Sequence, residues 1–221
     1  MNQLPFSVYD FFGYLAGGTV VLAALIASFF GDASFRTSPT LPVGFLLVII
    51  VYVLGQIVAN IAGDLIERRI VRRRLGTPTE VLLGDRTPNE FEARLLPGYF
   101  RALPPGVQAQ VRARAGDRRG EDLFLHCHAQ MKSDPVVQAR LDTFLNLYGF
   151  CRNTAMSTSL AAACLLAGIA LGSAETGSVA EPGWWLLLAV LATAGLFYRY
   201  LKFYRQYGFE LFASYAETGL P

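Results

Sequence analysis

Four long apolar segments interrupt a chain that is otherwise polar. Each holds about 20 residues, the length of helix that crosses the hydrocarbon core of a bilayer. The first segment lacks the basic start and the cleavage site of a signal peptide, so we expect it to remain as a span. The pattern predicts an all-α integral membrane protein, a four-helix transmembrane bundle with spans at residues 11–30, 43–63, 154–174 and 184–203.

The stretch between the second and third spans has the composition of a soluble domain, and its local signals are helical. Thr77-Pro78-Thr79-Glu80 and Thr87-Pro88-Asn89-Glu90 both match a Thr N-cap, a Pro at the first helical position and a Glu that closes a capping box. Asp134-Pro135 predicts the start of a longer helix that continues into the third span. The chain therefore divides into an N-terminal transmembrane hairpin (1–63), a small helical domain (64–152), a C-terminal transmembrane hairpin (153–203) and an aromatic, basic tail (204–221).

Basic residues flank the spans unequally. Residues 65–74, directly after the second span, contain five arginines and one acid, whereas Arg36 is the only basic residue in the two short connecting loops. Arg-rich flanks are retained in the cytoplasm. We therefore expect the helical domain and both termini to be cytoplasmic.

The amino-acid composition indicates the cellular compartment. Apolar residues make up 53% of the chain, and Lys132 and Lys202 are the only lysines among its 19 basic residues. Abundant Arg, Ala and Gly are typical of a GC-rich bacterial genome, which indicates a bacterial inner membrane. The three cysteines have no spacing that suggests a disulfide or a metal clip, so we expect free thiols.

The second span has one polar face, whose members follow one another at intervals of four, four, four and three residues. Polar groups in hydrocarbon are costly unless they are paired or wetted. The face is therefore interpreted either as a packing seam or as the lining of a pore or water-filled cavity. Its members are Tyr52, Gln56, Asn60, Asp64 and Glu67.

Small residues form GxxxG pairs in two spans, Gly13 with Gly17 and Gly168 with Gly172. Such pairs let helix backbones approach closely in lipid, either within one chain or between subunits. Because four short spans make a thin bundle, we expect a homo-oligomer.

Two arginine clusters are candidate binding sites for anions. The first, next to the second span, is expected to attract anionic membrane lipids, with an acidic protein partner, a nucleotide or nucleic acid as alternatives. The second is explained either as a solvated loop or as a site for an anionic partner. The clusters are Arg68, Arg69, Arg72, Arg73 and Arg74, and then Arg112, Arg114, Arg118 and Arg119.

The C-terminal segment carries an apolar stripe at helical spacing. We expect the fourth helix to extend past the membrane, with its aromatics at the interface or packed on the helical domain. A docking face for a cytoplasmic protein partner is the alternative. The stripe is Phe197, Tyr200, Tyr204, Tyr207 and Leu211.

No motif in the sequence indicates catalysis, whether GxSxG, HExxH, a Walker loop or a nucleophile–base pair. In His126-Cys127-His128 the two imidazoles stand two residues apart, so on a helix they point in different directions. We therefore expect neither an enzyme nor a cofactor or metal site.

Three stretches carry a resemblance: Phe6–Leu15, Leu147–Asn153 and Tyr200–Tyr207. Together with the layout of the spans they resemble the small four-span membrane proteins of bacterial anti-phage and CRISPR-linked operons. The resemblance implies a membrane sensor, or an effector that damages the membrane when a cytoplasmic partner detects infection. No functional residues of this chain are assigned from the resemblance.

These features together predict a non-catalytic, oligomeric membrane sensor or effector. Its cytoplasmic domain would receive a signal from a soluble protein or an anionic ligand and alter membrane permeability. Two alternatives stay open, a self-contained small ion channel or carrier and a passive membrane anchor for a soluble partner.

Overall fold

The computed structural model describes residues 8–29, 40–171 and 182–218, and these residues form helices without any strand. The all-α class is therefore confirmed for the described residues. The helices are α1 (Val8–Phe29), α2 (Leu41–Ala62), a π-helix (Gly63–Leu75), α3 (Pro78–Leu82), α4 (Glu90–Leu95), α5 (Pro105–Ala115), α6 (Gly120–Met131), α7 (Pro135–Ala170) and α8 (Pro182–Glu217).

Within the described residues, four helical stretches are long and apolar enough to cross a membrane, and each contains one of the predicted spans almost completely. The prediction of four such helices is confirmed. Two of them, α7 and α8, have 36 residues each. At 1.5 Å per residue each is about 54 Å long, which exceeds the ~30 Å of hydrocarbon, so both continue well beyond their apolar parts.

The π-helix follows from the spacing of apolar residues after Gly63. Its backbone hydrogen bonds join residues five apart, so residues four or five apart share a face. Ile66, Val71 and Leu75 have this spacing and are all buried. Continued α-helical spacing would instead turn Arg73 towards the buried face. The π-helix thus separates the buried apolar residues from the exposed arginines.

The described residues within 1–66 and 150–197 form one of two compact units, which we call the apolar unit. In α1 and α7, 33% of the most apolar stretch is buried, against 11% in α2 and α8. In this unit α1 and α7 are therefore the inner helices, and α2 and α8 are the outer ones. The outer two expose large side chains such as Phe45 and Trp184, as helices in contact with lipid do.

The described residues within 67–149 and 198–221 form the other compact unit, which we call the helical unit. Its buried core takes Val137 and Leu141 from α7, and Leu211 and Phe212 from α8. Residues 204–217 continue α8 as one helix, in agreement with the expected extension of the fourth helix, and carry part of this core.

Helix caps in the helical unit agree with one predicted capping box and correct the other. Thr77 caps α3 in a capping box with Glu80, as predicted. The Thr87 prediction is wrong, because Asn89 caps α4 and forms its box with Glu92. Asn is at least as good an N-cap as Thr, and its own Glu stands three residues on.

The start of α7 and the state of the cysteines follow the sequence. The Asp134 carboxylate accepts hydrogen bonds from the backbone N–H groups of Val136 (2.8 Å) and Val137 (3.2 Å), which confirms the predicted cap. All three cysteines are free thiols, as expected. Burial raises the pKa of Cys127, which lies in the core of the helical unit, to about 12.

Candidate functional site

The GxxxG pair of α1 packs against α7 of the same chain. A Cβ on Gly13 would lie 3.4 Å from the ring of Phe150, and a Cβ on Gly17 would lie 2.7 Å from Oγ of Ser157. Glycine at these positions lets the two helices approach closely. The pair therefore serves packing within the apolar unit.

The second predicted pair also meets α1. A Cβ on Gly168 would lie 3.0 Å from both Cβ and the carbonyl oxygen of Ser28. Gly172 lies outside the described residues. The described glycines of the predicted pairs thus follow one seam between α1 and α7.

The closest helix contact uses two glycines that the sequence analysis did not single out. A Cβ on Gly18 would lie 1.9 Å from the carbonyl oxygen of Val51, and a Cβ on Gly55 would lie 1.9 Å from that of Tyr14. Only hydrogen fits at either place, so α1 and α2 touch backbone to backbone. The sequence feature that could have indicated this close contact was Gly55, which stands alone in the middle of an apolar span.

The polar face of the second span divides into two parts. Tyr52 packs against the rings of Phe11 and Tyr14, with centroids 5.5 and 5.9 Å apart. Gln56 is half-buried and Asn60 is exposed, and neither side chain hydrogen-bonds to any residue that the structure describes. The aromatic part is thus a packing seam, whereas the two amides have no hydrogen-bond partner among the described residues.

The charged end of that face lies at the junction with the π-helix. Asp64 is exposed and Glu67 is half-buried. Glu67 accepts a hydrogen bond from Arg72 at 3.2 Å, and the five-residue interval between them matches the π-helical repeat. Glu67 therefore belongs with the arginine cluster rather than with the amides.

A polar seam in the third span was missed at the sequence level. The Thr193 hydroxyl donates to the Thr158 hydroxyl at 2.8 Å, which joins α8 to α7. The preceding residue, the fully buried Ser157, donates to the carbonyl of Asn153 at 3.0 Å. Hydroxyls at positions 154, 157 and 158 have the spacing of one helix face, which was the available signal.

The first arginine cluster lies on the outer side of the π-helix. Its members Arg68, Arg69, Arg72, Arg73 and Arg74 are all exposed. The last carbonyls of this helix have partners elsewhere, because the Arg86 guanidinium donates to the carbonyls of Leu75 (2.9 Å) and Arg74. The cluster is thus presented on a backbone that is fixed at its end.

The second arginine cluster is largely engaged in the fold. Arg112 donates to the carbonyl of Leu83 at 2.8 Å and to Asp85 at 2.7 Å. Arg114 donates to the carbonyl of Tyr215 and lies 4.7 Å from the centre of its ring. These contacts tie α5 to other parts of the helical unit, which accounts for both arginines without a ligand.

The other two members of that cluster lie at the turn before α6. Arg118 donates to the carbonyl of Ala115 at 3.0 Å and lies 3.9 Å from Asp122. Arg119 is the N-cap residue of α6 and is exposed. Acids alternate with the arginines here, which weakens the attraction for an anion.

A cavity of about 220 Å³ opens in the helical unit, and the sequence analysis did not foresee it. Three tyrosines from the two long helices form one side, and the π-helix, the capped start of α3 and α6 contribute the other lining residues. We call it the tyrosine pocket. Its lining includes Tyr148, Tyr204, Tyr207, Phe124, Glu67, Arg72 and Glu121.

The ring of Tyr148 stands at steep angles to the rings of Tyr204 and Tyr207. The centroid of Tyr148 lies 5.2 Å from that of Tyr204, with an angle of 57° between the planes, and 5.9 Å from that of Tyr207, with an angle of 73°. Burial and the charge of Asp142 raise the pKa of Tyr207, which keeps its phenol neutral. The pocket thus has electron-rich, uncharged aromatic walls.

Comparison with known proteins found no matching family model, no matching curated protein and no matching solved structure. The resemblance to anti-phage membrane proteins therefore stays a prediction.

Proposed function

We propose that the protein is a non-catalytic, oligomeric sensor or effector of a bacterial inner membrane, with its helical unit and both termini in the cytoplasm. A soluble partner or ligand would bind the helical unit, and the response would be a change in membrane permeability. Four apolar helices support the membrane location. The arginines that follow α2 support the orientation.

The observation that carries this proposal is the continuity of α7 and α8. Within α7, Leu141 lies in the core of the helical unit and Ala155 is buried in the apolar unit, with no break in the helix between them. Likewise in α8, Thr193 bonds to Thr158 in the apolar unit and Leu211 lies in the core of the helical unit, with no break in the helix between them. A shift of such a helix at one end is carried to the other end, as in known switching proteins.

The amides of α2 support an oligomer. Asn60 is exposed on a helix that we place in the membrane, and an amide there gains from a partner that both donates and accepts. A second copy of the chain offers that same group. An oligomer would thus cover Gln56 and Asn60, and both would face a shared interface or water path.

The test is a measurement of ion flux with the full chain. Vesicles containing the purified protein are expected to stay tight to potassium, while cells that express the chain with its neighbouring genes depolarise on phage challenge. Combined Gln56→Leu and Asn60→Leu substitutions should abolish the depolarisation. Thr19→Leu, which replaces an exposed hydroxyl bonded within its own helix (2.7 Å to the carbonyl of Leu15), is the matched control.

Flux in vesicles and depolarisation in cells together also distinguish the proposal from its two alternatives, the self-contained channel and the passive anchor. A self-contained channel, favoured by amides that have no hydrogen-bond partner among the described residues, would make vesicles leak without any partner. Cells that never depolarise, together with vesicles that stay tight, would contradict the permeability part of the proposal and favour a passive anchor.

A further inference from the structure

The tyrosine pocket has a shape and a charge that point to one class of ligand. We propose that it binds the ammonium group of a small organic amine, with Tyr148, Tyr204 and Tyr207 as its aromatic walls. Aromatic faces attract ammonium ions, and cages of such rings recognise quaternary and alkylated amines. This inference does not depend on the permeability function, because binding is measured without flux.

Ring orientation favours a compact cation over a planar base. A nucleobase stacks between or upon parallel faces, whereas Tyr148 meets Tyr204 and Tyr207, the other two tyrosine walls, at 57° and 73°. Tyr200 and Tyr204 are nearly parallel, at 13° and 5.5 Å, but those two rings stack on each other. Within the pocket, Phe124 is tilted by 35° to Tyr207. Walls at steep angles surround a rounded group instead.

Charge favours a cation over an anion. The described lining holds two carboxylates, Glu67 and Glu121, and one guanidinium, that of Arg72. Glu67 and Arg72 pair at 3.2 Å, which leaves the charge of Glu121 in excess. An anion would meet that carboxylate, while an ammonium ion gains from it.

Two sources can supply an ammonium group. Glu67 follows the second apolar segment by only a few residues, and Tyr204 directly follows the fourth. The headgroup of an ethanolamine or choline lipid is therefore one source, and a free cytoplasmic amine is the other. The recognised chemistry is the same for both.

The experiment is calorimetric titration of the full chain in dodecyl maltoside with choline, ethanolamine and the uncharged isostere of choline that has carbon in place of nitrogen. We expect at least one of the amines to bind and the isostere not to bind. Failure of both amines to bind, or equal binding of the isostere, would overturn the proposal. Tighter binding of phosphocholine or phosphoethanolamine than of the parent amine identifies a lipid headgroup, and equal or weaker binding identifies a free amine.

Variants test the two parts of the site separately. Tyr148→Leu should weaken binding by about 2- to 30-fold, whereas Tyr148→Phe, which keeps the ring, should bind almost as the parent does. Glu121→Gln should weaken binding by about two- to fivefold. Its matched control is Glu90→Gln, since both are exposed glutamates in the first turn of a helix. Equal affinities for Glu121→Gln and Glu90→Gln would contradict the assigned role of the carboxylate.

Discussion

Replacing Gly55 with alanine adds one methyl group where α1 and α2 cross. The new Cβ would lie 1.9 Å from the carbonyl oxygen of Tyr14 and 2.6 Å from its carbonyl carbon. These are backbone atoms of a helix, so no side-chain rotation relieves the overlap. The two helices themselves must move apart.

The size of the effect follows from that separation. Ordinary contact at a Cβ begins at 3.4 Å, so α1 and α2 must separate by roughly 1.5 Å near Gly55. A gap of that width forfeits more than half of the local dispersion energy. Overpacking costs about 1–3 kcal/mol and sometimes more, against a gain of ~1 kcal/mol from the better helix propensity of alanine. With the overpacking cost at the upper end of that range, about 3 kcal/mol, we expect a net loss of about 2 kcal/mol for Gly55→Ala.

Two other glycines complete a graded series. Gly17→Ala meets Oγ of Ser157 at 2.7 Å, and Ser157 can rotate if it gives up its 3.0 Å hydrogen bond to the carbonyl of Asn153. That bond contributes about 1 kcal/mol. Gly44→Ala, on the same helix as Gly55, has nothing within 4 Å in the described part of the chain. It is the matched control and should be neutral or slightly stabilising.

The assay is unfolding of the full chain in mixed micelles of rising SDS fraction, followed by circular dichroism. The expected order of destabilisation is Gly55→Ala, then Gly17→Ala, then Gly44→Ala. If Gly55→Ala unfolds at the same SDS fraction as Gly44→Ala, the backbone contact between α1 and α2 is refuted.

Three further predictions concern the helical unit. Arg86→Ala should cost about 1.5–3 kcal/mol in urea unfolding, because it removes charged hydrogen bonds to the end of the π-helix, whereas the exposed Arg94→Ala should cost little. Cys127 is fully buried with its pKa raised to about 12, so a maleimide at about pH 8 should label it only after unfolding. Burial raises the pKa of Tyr99, whose hydroxyl donates to the carbonyl of Gly76 at 2.8 Å. The stability from its neutral phenol is therefore fully present below its ordinary pKa of about 10 and is lost as the pH rises above it. A Tyr99→Phe variant should lose less stability than the parent over that range.

Features that depend on neighbours in the chain were predictable. The four apolar helices follow from run length, and the starts of α3 and α7 follow from Thr77 and Asp134, because a cap bonds residues two or three positions away. The misplaced cap of α4 shows the limit of such signals. Thr87 and Asn89 are both competent caps two residues apart, and each has a glutamate three residues on, so the local pattern does not choose between them.

Features that join distant parts of the chain were not predictable in the same way. Nothing near Thr158 indicates that its partner is Thr193, and nothing near Arg205 indicates that it donates to the carbonyl of Arg101 at 2.6 Å. The tyrosine pocket has the same origin, since Tyr148 comes from α7 and Tyr204 from α8. Periodicity gives the face of a helix on which a residue lies, but not the helix that it meets.

The segment after residue 203 shows why composition and backbone divide this chain differently. Composition changes there from apolar to aromatic and basic, so the sequence analysis separated a tail at residue 204. The backbone of α8 does not change, because an α-helix satisfies its own N–H and C=O groups in hydrocarbon and in water alike. Only the surroundings of the side chains differ, and the stripe passes from Phe197 in the apolar unit to Leu211 in the core of the helical unit. A helix that needs no interruption at such a boundary is also the simplest element to carry a signal across it.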